Sequence, residues 1–341
     1  MARMETTPTR RTFAKASLGT IAATSLLGVV GIESVKAVEI AGRSGKPLKA
    51  AFSNAGLQVT WCAQGKRAAE YWGRLFNVEI TWFDGELSST RQRTAVDNMA
   101  SQDWDFVAIQ ALTEGTLADP VNRMIDKGIP VISIDTFIAP YDKVNVHTRL
   151  TPDNTFMGSS VTQALVDALN GEGNIVMTTG PLGFSAVQGR SKAFEAVVIR
   201  FPKINVLEVA PADWDVTKVA RLWESWLNKY PKIDAAFFHN DDMALAAYNV
   251  IKTHNRTGIL IGGVDAMPSA IEAVLDGRMH ATVRGSSARM HGGAVAAGVG
   301  AVMGGEKTGP NGIPQTIVID GPVVTKENAP GLLWEEAHYL I

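Results

Sequence analysis

The stretch FFHNDDMALAAY, Phe237–Tyr248, decides how the chain is read. An apolar run stops at three short polar residues, Asn240, Asp241 and Asp242, and an alanine-rich helical pattern begins at once. A buried strand that ends at a helix N-terminus has this form. Each of the three polar side chains is of a type that caps a helix by accepting from its first free N–H groups. The same position, the carboxyl end of a strand in an open α/β sheet, is also where ligands bind, and an asparagine there offers both donor and acceptor. The stretch alone leaves both roles open.

Outward from it the same unit recurs. On the upstream side lie strand candidates at 47–53, 78–83, 105–110 and 129–135, separated by helical segments at 61–76 and 88–101 and one further helix-length stretch. A break at 139–152 carries Pro140, Tyr141 and Pro152, and the rhythm then restarts. Strands are expected at 174–179, 205–210, 235–239 and 258–264, with helices at 153–169, 185–201, 216–230, 241–254 and 268–276. A short strand at 281–283, a Gly/Ala-rich helix at 288–303, one late strand at 315–324 and a last short helix follow. Short apolar strands alternating with helices argue βαβ units and parallel sheets covered on both faces.

The fold class is therefore α/β: two doubly wound parallel-sheet lobes joined by a multi-strand hinge. The expected partition gives residues 47–139 with about 284–310 to the N-terminal lobe and 152–281 with about 315–341 to the C-terminal lobe. Hinge crossings are expected at 140–151, 282–283 and 311–314.

Composition narrows the function. The 341 residues are 46% hydrophobic and 19% charged, with a formal net charge of -2, so disorder is not expected and no electrostatic footprint for nucleic acid is present. The single cysteine, Cys62, forbids an internal disulfide or a thiolate metal cluster. Residues 1–37 combine Arg10-Arg11, the uncharged run 16–32 and the small-residue site near Ala37, the pattern of a twin-arginine signal peptide, with 38–46 as a linker. Export of the mature chain follows from that reading.

Candidate contacts are the polar residues placed just after strands: Asn54, Asp135, Asn240 and Asp265. Arg190 stands a turn into the helix that follows Gly180-Pro181-Leu182-Gly183, from where a long guanidinium reaches back over a cleft. Of the aromatics in equivalent places, Trp61, Phe83, Phe137, Phe184 and Trp214, two or three are expected to face a ligand and the rest to be core. Rings for the apolar face of a sugar, with polar neighbours for its hydroxyls, make a neutral carbohydrate site. Catalytic patterns are wanting: there is no GxGxxG after a strand, Gly183-Phe184-Ser185-Ala186-Val187 lacks the last glycine of a nucleophile elbow, and the six histidines show no metal spacing. His239 beside Asp241 is the one conceivable proton relay. No cofactor, metal or catalytic residue is expected.

A set of pieces in order then resembles a known family. These are Gly128-Ile129-Pro130-Val131 with Ile134-Asp135, Asp153-Asn154 with Gly158, Gln188-Gly189-Arg190 with Phe194, Ala212-Asp213-Trp214-Asp215, Asn240-Asp241-Asp242-Met243-Ala244, Gly263-Val264-Asp265-Ala266, and Gly277 with Ala281-Thr282-Val283. From about 47 to 325 the chain is similar to the substrate-binding proteins of sugar ABC importers with the type I periplasmic-binding fold, in the ribose-binding-like cluster. The resemblance implies that Asp135, Arg190, Asn240 and Asp265 hydrogen-bond sugar hydroxyls and that Trp214 lies in the site wall. It departs from the family pattern at Thr136, at Arg284-Gly285, and at Asn54, which Ala55-Gly56-Leu57 follow before the aromatic arrives at Trp61.

The implied protein is a non-enzymatic, monomeric periplasmic binder of a small neutral monosaccharide or sugar alcohol. It closes by a hinge and delivers its ligand to an ABC permease in the inner membrane, and nucleic acid is not a partner. A ligand-sensing partner of a chemoreceptor or sensor kinase is the alternative, and an exported sugar-acting enzyme a weaker one. The expected ligand set is Asn54, Trp61, Asp135, Phe184, Arg190, Trp214, Asn240 and Asp265.

Overall fold

The computed structural model describes residues 45–304 and 314–338. The expected signal peptide (1–37), most of the expected linker and most of the crossing at 311–314 lie outside the described residues.

The first sheet has the strand order β2-β1-β3-β4-β5-β11. Its members are β1 (Leu48–Asn54), β2 (Val78–Asp84), β3 (Phe106–Ile109), β4 (Val131–Ile134), β5 (Thr148–Thr151) and β11 (Thr316–Val318). All pairs are parallel, with Ala50 opposite Phe106 and Val107 opposite Val131. Every residue of β3 and β4 is buried, as expected of strands covered on both faces. The covering helices are α1 (Thr60–Phe76), α2 (Ser89–Ala100), α3 (Ala118–Asp126) and the late-returning α9 (Ser287–Gly304).

Helix α9 explains its own composition. It packs against α1 and lies over β3 and β4, and its glycines are where the neighbours come closest. A Cβ on Gly298 would stand 2.2 Å from the Phe106 ring, and one on Gly65 of α1 would stand 2.2 Å from His291 of α9. Phe106 is wholly buried, and burial of one such ring contributes about 1.5–3 kcal/mol. Gly298→Ala would overpack this contact, at about 1–3 kcal/mol.

The second sheet has the order β7-β6-β8-β9, built from β6 (Glu172–Thr179), β7 (Lys203–Pro211), β8 (Ala235–Phe238) and β9 (Leu260–Gly262). It too is parallel, with Met177 opposite Phe237. Helices α4 (Asn154–Ala168), α5 (Ser185–Val198), α6 (Val216–Lys229), α7 (Asp241–Thr253) and α8 (Pro268–Asp276) surround it. Phe194 and Phe237 stack at 5.9 Å in its core. On the other side Trp223 stacks on Phe238 at 5.3 Å. A third, antiparallel pair joins β10 (Thr282–Val283) to β12 (Val323–Val324), and the terminal helix α10 (Ala329–His338) packs on α8. The fold is thus the expected two-lobed α/β architecture with parallel sheets.

The partition differs from the expected one in two places. Residues 148–151 form β5 and belong to the first sheet, so the chain leaves that lobe at Pro152 and not at 140. Residues 316–318 pair with β5 in the same sheet, so only the chain from about 319 onward returns to the second lobe. The single late strand expected at 315–324 is two strands in two sheets, broken at Asp320-Gly321-Pro322. Pro322 has no N–H to continue a ladder, and its carbonyl accepts from Arg284 N at 3.0 Å. Among the described residues the lobes are therefore linked at 152–153, 284–286 and 319–322.

Candidate ligand-binding site

The carboxyl ends of strands from both sheets border one cavity of about 410 Å³ of empty space. Five polar side chains line it: Gln110, Asp135, Arg190, Asn240 and Asp265. Trp61, Phe184 and Trp214 supply aromatic wall, and Ala55, Val59, Cys62 and Leu87 complete it.

Each polar group is placed by the end of an element. Asp135 follows β4 in the left-handed region at φ 63° and Asp265 follows β9 at φ 112°, conformations that cost a non-glycine residue about 1–3 kcal/mol and are held only where the surroundings over-determine them. Asp135 N is fixed on Leu150 O at 2.7 Å; Asp265 N is fixed on Val283 O at 2.8 Å. Gln110 follows β3; its Nε2 donates to Asp135 Oδ2 at 2.9 Å, and its Oε1 accepts from Ala55 N at 3.2 Å. Asn240 caps α7, its Oδ1 accepting from Met243 N at 2.9 Å, which leaves the amide NH2 for the cavity.

Arg190 is the cation lining the cavity, and it is 5% exposed. Its Nε donates to Asn154 Oδ1 at 3.0 Å, one terminal nitrogen donates to the His239 carbonyl, and the other lies 3.8 Å from Asp265 Oδ1. Burial pushes the Asp135 carboxyl above its ordinary value, while Arg190 and the Gln110 amide pull it back. Burial pushes Asp265 well up; Arg190 opposes this, and Asp241 and Asp135 add to it by like-charge repulsion.

Asp241 and Asp242, expected as helix-start residues, spend their carboxylates on tertiary contacts. Asp241 is fully buried and accepts from Met267 N at 2.8 Å and Thr282 Oγ1 at 2.7 Å, so it holds the β9–α8 turn to β10. Burial raises it to about 8. Asp242 accepts from Thr60 of the first lobe. Among the described residues the His239 ring nitrogens have no hydrogen-bond partner, and burial pushes the ring well below its usual value. No His239–Asp241 relay exists.

Of the eight expected residues, seven line the cavity: Trp61, Asp135, Phe184, Arg190, Trp214, Asn240 and Asp265. Asn54 does not. It is wholly buried behind the wall, donating to Cys62 O and meeting His291 Nε2, both at 3.4 Å. The turn after β1 brings Ala55 to the cavity and folds the asparagine under it. His291 in turn packs edge-on to Trp61, ring centroids 5.2 Å apart. Of the other aromatics, Phe83 packs on Trp104 and Phe137 is 38% exposed. The indole N–H of Trp61 is already donated to Gly285 O at 2.6 Å, so Trp61 offers the cavity only its ring.

Gln110 went unmarked in the sequence, although a polar residue directly after the apolar run Phe106–Ile109 is the same signal that marked Asp135. Arg284, at a departure from the family pattern, pairs with Glu335 at 2.7 Å. Thr136 donates to Ala111 O at 2.7 Å. Among the described residues no group of histidine, cysteine or carboxylate side chains is arranged to hold a metal ion, and no helix is long and apolar enough to cross a membrane.

Residues 50–307 match the family described as periplasmic binding protein domain, and the chain belongs to that family. It is 28% identical over 219 residues to the xylitol-binding protein of Mycolicibacterium smegmatis (strain ATCC 700084 / mc(2)155), a match covering 64% of this chain and 62% of that one. It is 28% identical over 244 residues to the galactofuranose-binding protein YtfQ of Escherichia coli (strain K12), covering 70% and 77%. A crystal structure of a galactofuranose-binding protein superposes with a TM-score of 0.80 at 24% identity, covering 86% of this chain and all of that one. The last shows the fold alone.

Proposed function

We propose that this chain is an exported solute-binding protein that captures a monosaccharide or sugar alcohol between its lobes and hands it to an ABC importer. The observation that carries the reading is the cavity: strand ends of two sheets meet there, three aromatic rings wall it, and five hydrogen-bonding side chains converge on it. Rings on one part of the lining and hydrogen-bonding side chains on the rest suit a small polar ligand. Rings take the C–H face of a sugar or polyol, and Asp135, Gln110, Arg190, Asn240 and Asp265 take its hydroxyls. The xylitol-binding and galactofuranose-binding relatives fit the same chemistry.

The mechanism is differential binding. A ligand touching both walls makes its full set of contacts only when the lobes are together, and it shifts the population toward that state in proportion. No step breaks a covalent bond. Export by the twin-arginine route, a monomeric state and recognition by an inner-membrane permease complete the reading.

A thermal-shift and calorimetric panel of pentoses, hexoses, furanose-rich sugars, pentitols and inositols tests it. A true ligand at a hundred times its Kd stabilises the protein by about 2.7 kcal/mol. A panel without a single stabilising member would count decisively against a sugar or polyol site.

A further inference from the structure

One stretch of the cavity wall is apolar. Ala55, Val59, Cys62 and Leu87 form it, and all four come from the first lobe, from the turn after β1, the start of α1 and the turn after β2. These pieces are bonded to one another: Leu87 N donates to Ala55 O at 2.8 Å and Val59 N to Gly56 O at 3.2 Å. They also pack closely, since a Cβ on Gly56 would stand 2.7 Å from Leu87 Cγ. The polar atoms of this stretch are engaged inside the protein. Ala55 N and the Cys62 thiol both donate to Gln110 Oε1 at 3.2 Å, and Cys62 O accepts from the Asn54 amide at 3.4 Å. Burial keeps that thiol protonated. Asn54, the polar side chain that the end of β1 supplies, is itself turned beneath the wall.

Leu87 is held in this wall against a conformational cost. Glu86 and Leu87 are consecutive left-handed residues at φ 49° and 53°, a region that non-glycine residues keep only where their surroundings over-determine it. The Asp84 carboxylate supplies that constraint: its Oδ1 accepts from both Glu86 N and Leu57 N at 3.0 Å, which ties the turn after β2 to the turn after β1. The cavity is therefore two-sided. Asp135, Arg190, Asn240 and Asp265 present polar groups, while Leu87 and its neighbours present carbon. A hydroxyl set against that carbon gives up its water and gains no partner, a penalty that a hydrogen atom or a methyl group in the same place escapes.

We propose that the ligand is a deoxy sugar or deoxy polyol, with a methyl or methylene group against Ala55, Val59, Cys62 and Leu87 where the parent compound carries a hydroxyl. The proposal rests on the sugar or polyol reading above and narrows it.

Calorimetric titration of the full mature chain tests it with matched sets: each pentose, hexose or polyol beside its deoxy analogues, the hydroxyl removed at each carbon in turn. The expected result is at least one deoxy analogue about tenfold tighter than its parent, the discrimination that one small group gives in an apolar pocket. Parents that bind, with no analogue tighter than its own parent, overturn the deoxy selection while leaving the sugar reading standing. Binding by no member of any set overturns both. Two variants test the wall itself. Leu87→Asn sets an amide there at a left-handed position that asparagine tolerates, and Val59→Thr adds a hydroxyl at nearly constant volume. Each should lower the ratio of deoxy to parent affinity several-fold. A ratio unchanged in both would also overturn the proposal.

Discussion

Asp242, in the first turn of α7, accepts hydrogen bonds from both the backbone N and the hydroxyl of Thr60, the first residue of α1, at 3.0 and 2.6 Å. The two residues belong to different lobes. The residue preceding Thr60, Val59, sits at the N-cap of α1 and has no side chain that can accept a bond, so the second lobe caps a helix of the first. The same carboxylate lies at the N-terminus of its own helix, where negative charge is favoured. A parting of the lobes, as the proposed function requires, would cost α1 its cap.

Asp242→Asn removes the charge and one of the two acceptors. A cap of this kind is worth about 1 kcal/mol, so the ratio of closed to open molecules should fall about fivefold. Small-angle scattering of the ligand-free protein should show a larger mean radius, and ligand should dissociate faster. An unchanged radius together with an unchanged dissociation rate would show that the cap does not bias closure.

The wall at Trp214 depends on a glycine. Asp213 and Trp214 are consecutive left-handed residues, at φ 54° and 62°, and the ring they present passes so near Gly180 that a Cβ there would lie 2.1 Å from Trp214 Cζ2. Phe184 meets the ring edge-on at 5.7 Å. Gly180→Ala must therefore displace the indole, at about 1–3 kcal/mol of overpacking. The protein should still fold, with altered near-ultraviolet circular dichroism and ligand affinity at least tenfold weaker. Wild-type affinity in a folded Gly180→Ala protein would remove Trp214 from the ligand-contacting wall.

Buried carboxyls set a pH dependence with a definite sign. The Asp241 carboxyl rises from 3.8 to about 8 on folding, and Asp265 moves the same way. A raised folded-state value means that the protonated form is favoured by folding; this contribution is complete at acid pH and is lost as pH climbs toward 8. His291, lowered to about 4, works in the opposite sense, its contribution vanishing on acidification below about 6.5. Between pH 6.5 and 8 the aspartates act without that opposition. Stability should fall across this interval, each group contributing at most about 1.4 kcal/mol per pH unit. Asp241→Asn should flatten the slope in denaturant melts at pH 6.5, 7.25 and 8; an identical slope would mean that Asp241 is ionised throughout.

Much of this was legible in the sequence, and the misses have physical causes. Long apolar runs such as Ala235–Phe238 announce a strand because both of its faces are buried. Strand β11 was expected only as part of one longer strand at 315–324: it is an edge strand of three residues, two of them exposed, and only its pairing with β5 separates it from β12. Asp135, Asn240 and Asp265 were readable because a polar residue at a strand's carboxyl end recurs. Asn54 shares that position, yet its side chain turns toward Cys62 and His291, and direction at a strand end is set by the following turn and not by residue type. The Asp242–Thr60 contact joins residues 182 positions apart, which no local pattern encodes.

Arg190 gives the sharpest division between holding the fold and holding the ligand. Its guanidinium spans Asn154 Oδ1 and the His239 carbonyl while flanking Asp265, a geometry that needs a planar fork. Arg190→Lys keeps the charge but not the fork and should cost about 1.5–3 kcal/mol, the worth of a charged hydrogen bond, while retaining weakened binding. Arg190→Met leaves Asp265 buried beside Asp135 and Asp241 with no cation between them. The charged hydrogen bonds lost to Asn154 and the His239 carbonyl cost about 1.5–3 kcal/mol each, and Asp265, already pushed well up by burial, should take up a proton at still higher pH. Melting curves read the first effect and ligand titration the second. If Arg190→Met is destabilised yet binds ligand as tightly as the wild type, Arg190 serves the fold alone, and the hydroxyl contacts must come from Asp135, Gln110, Asn240 and Asp265.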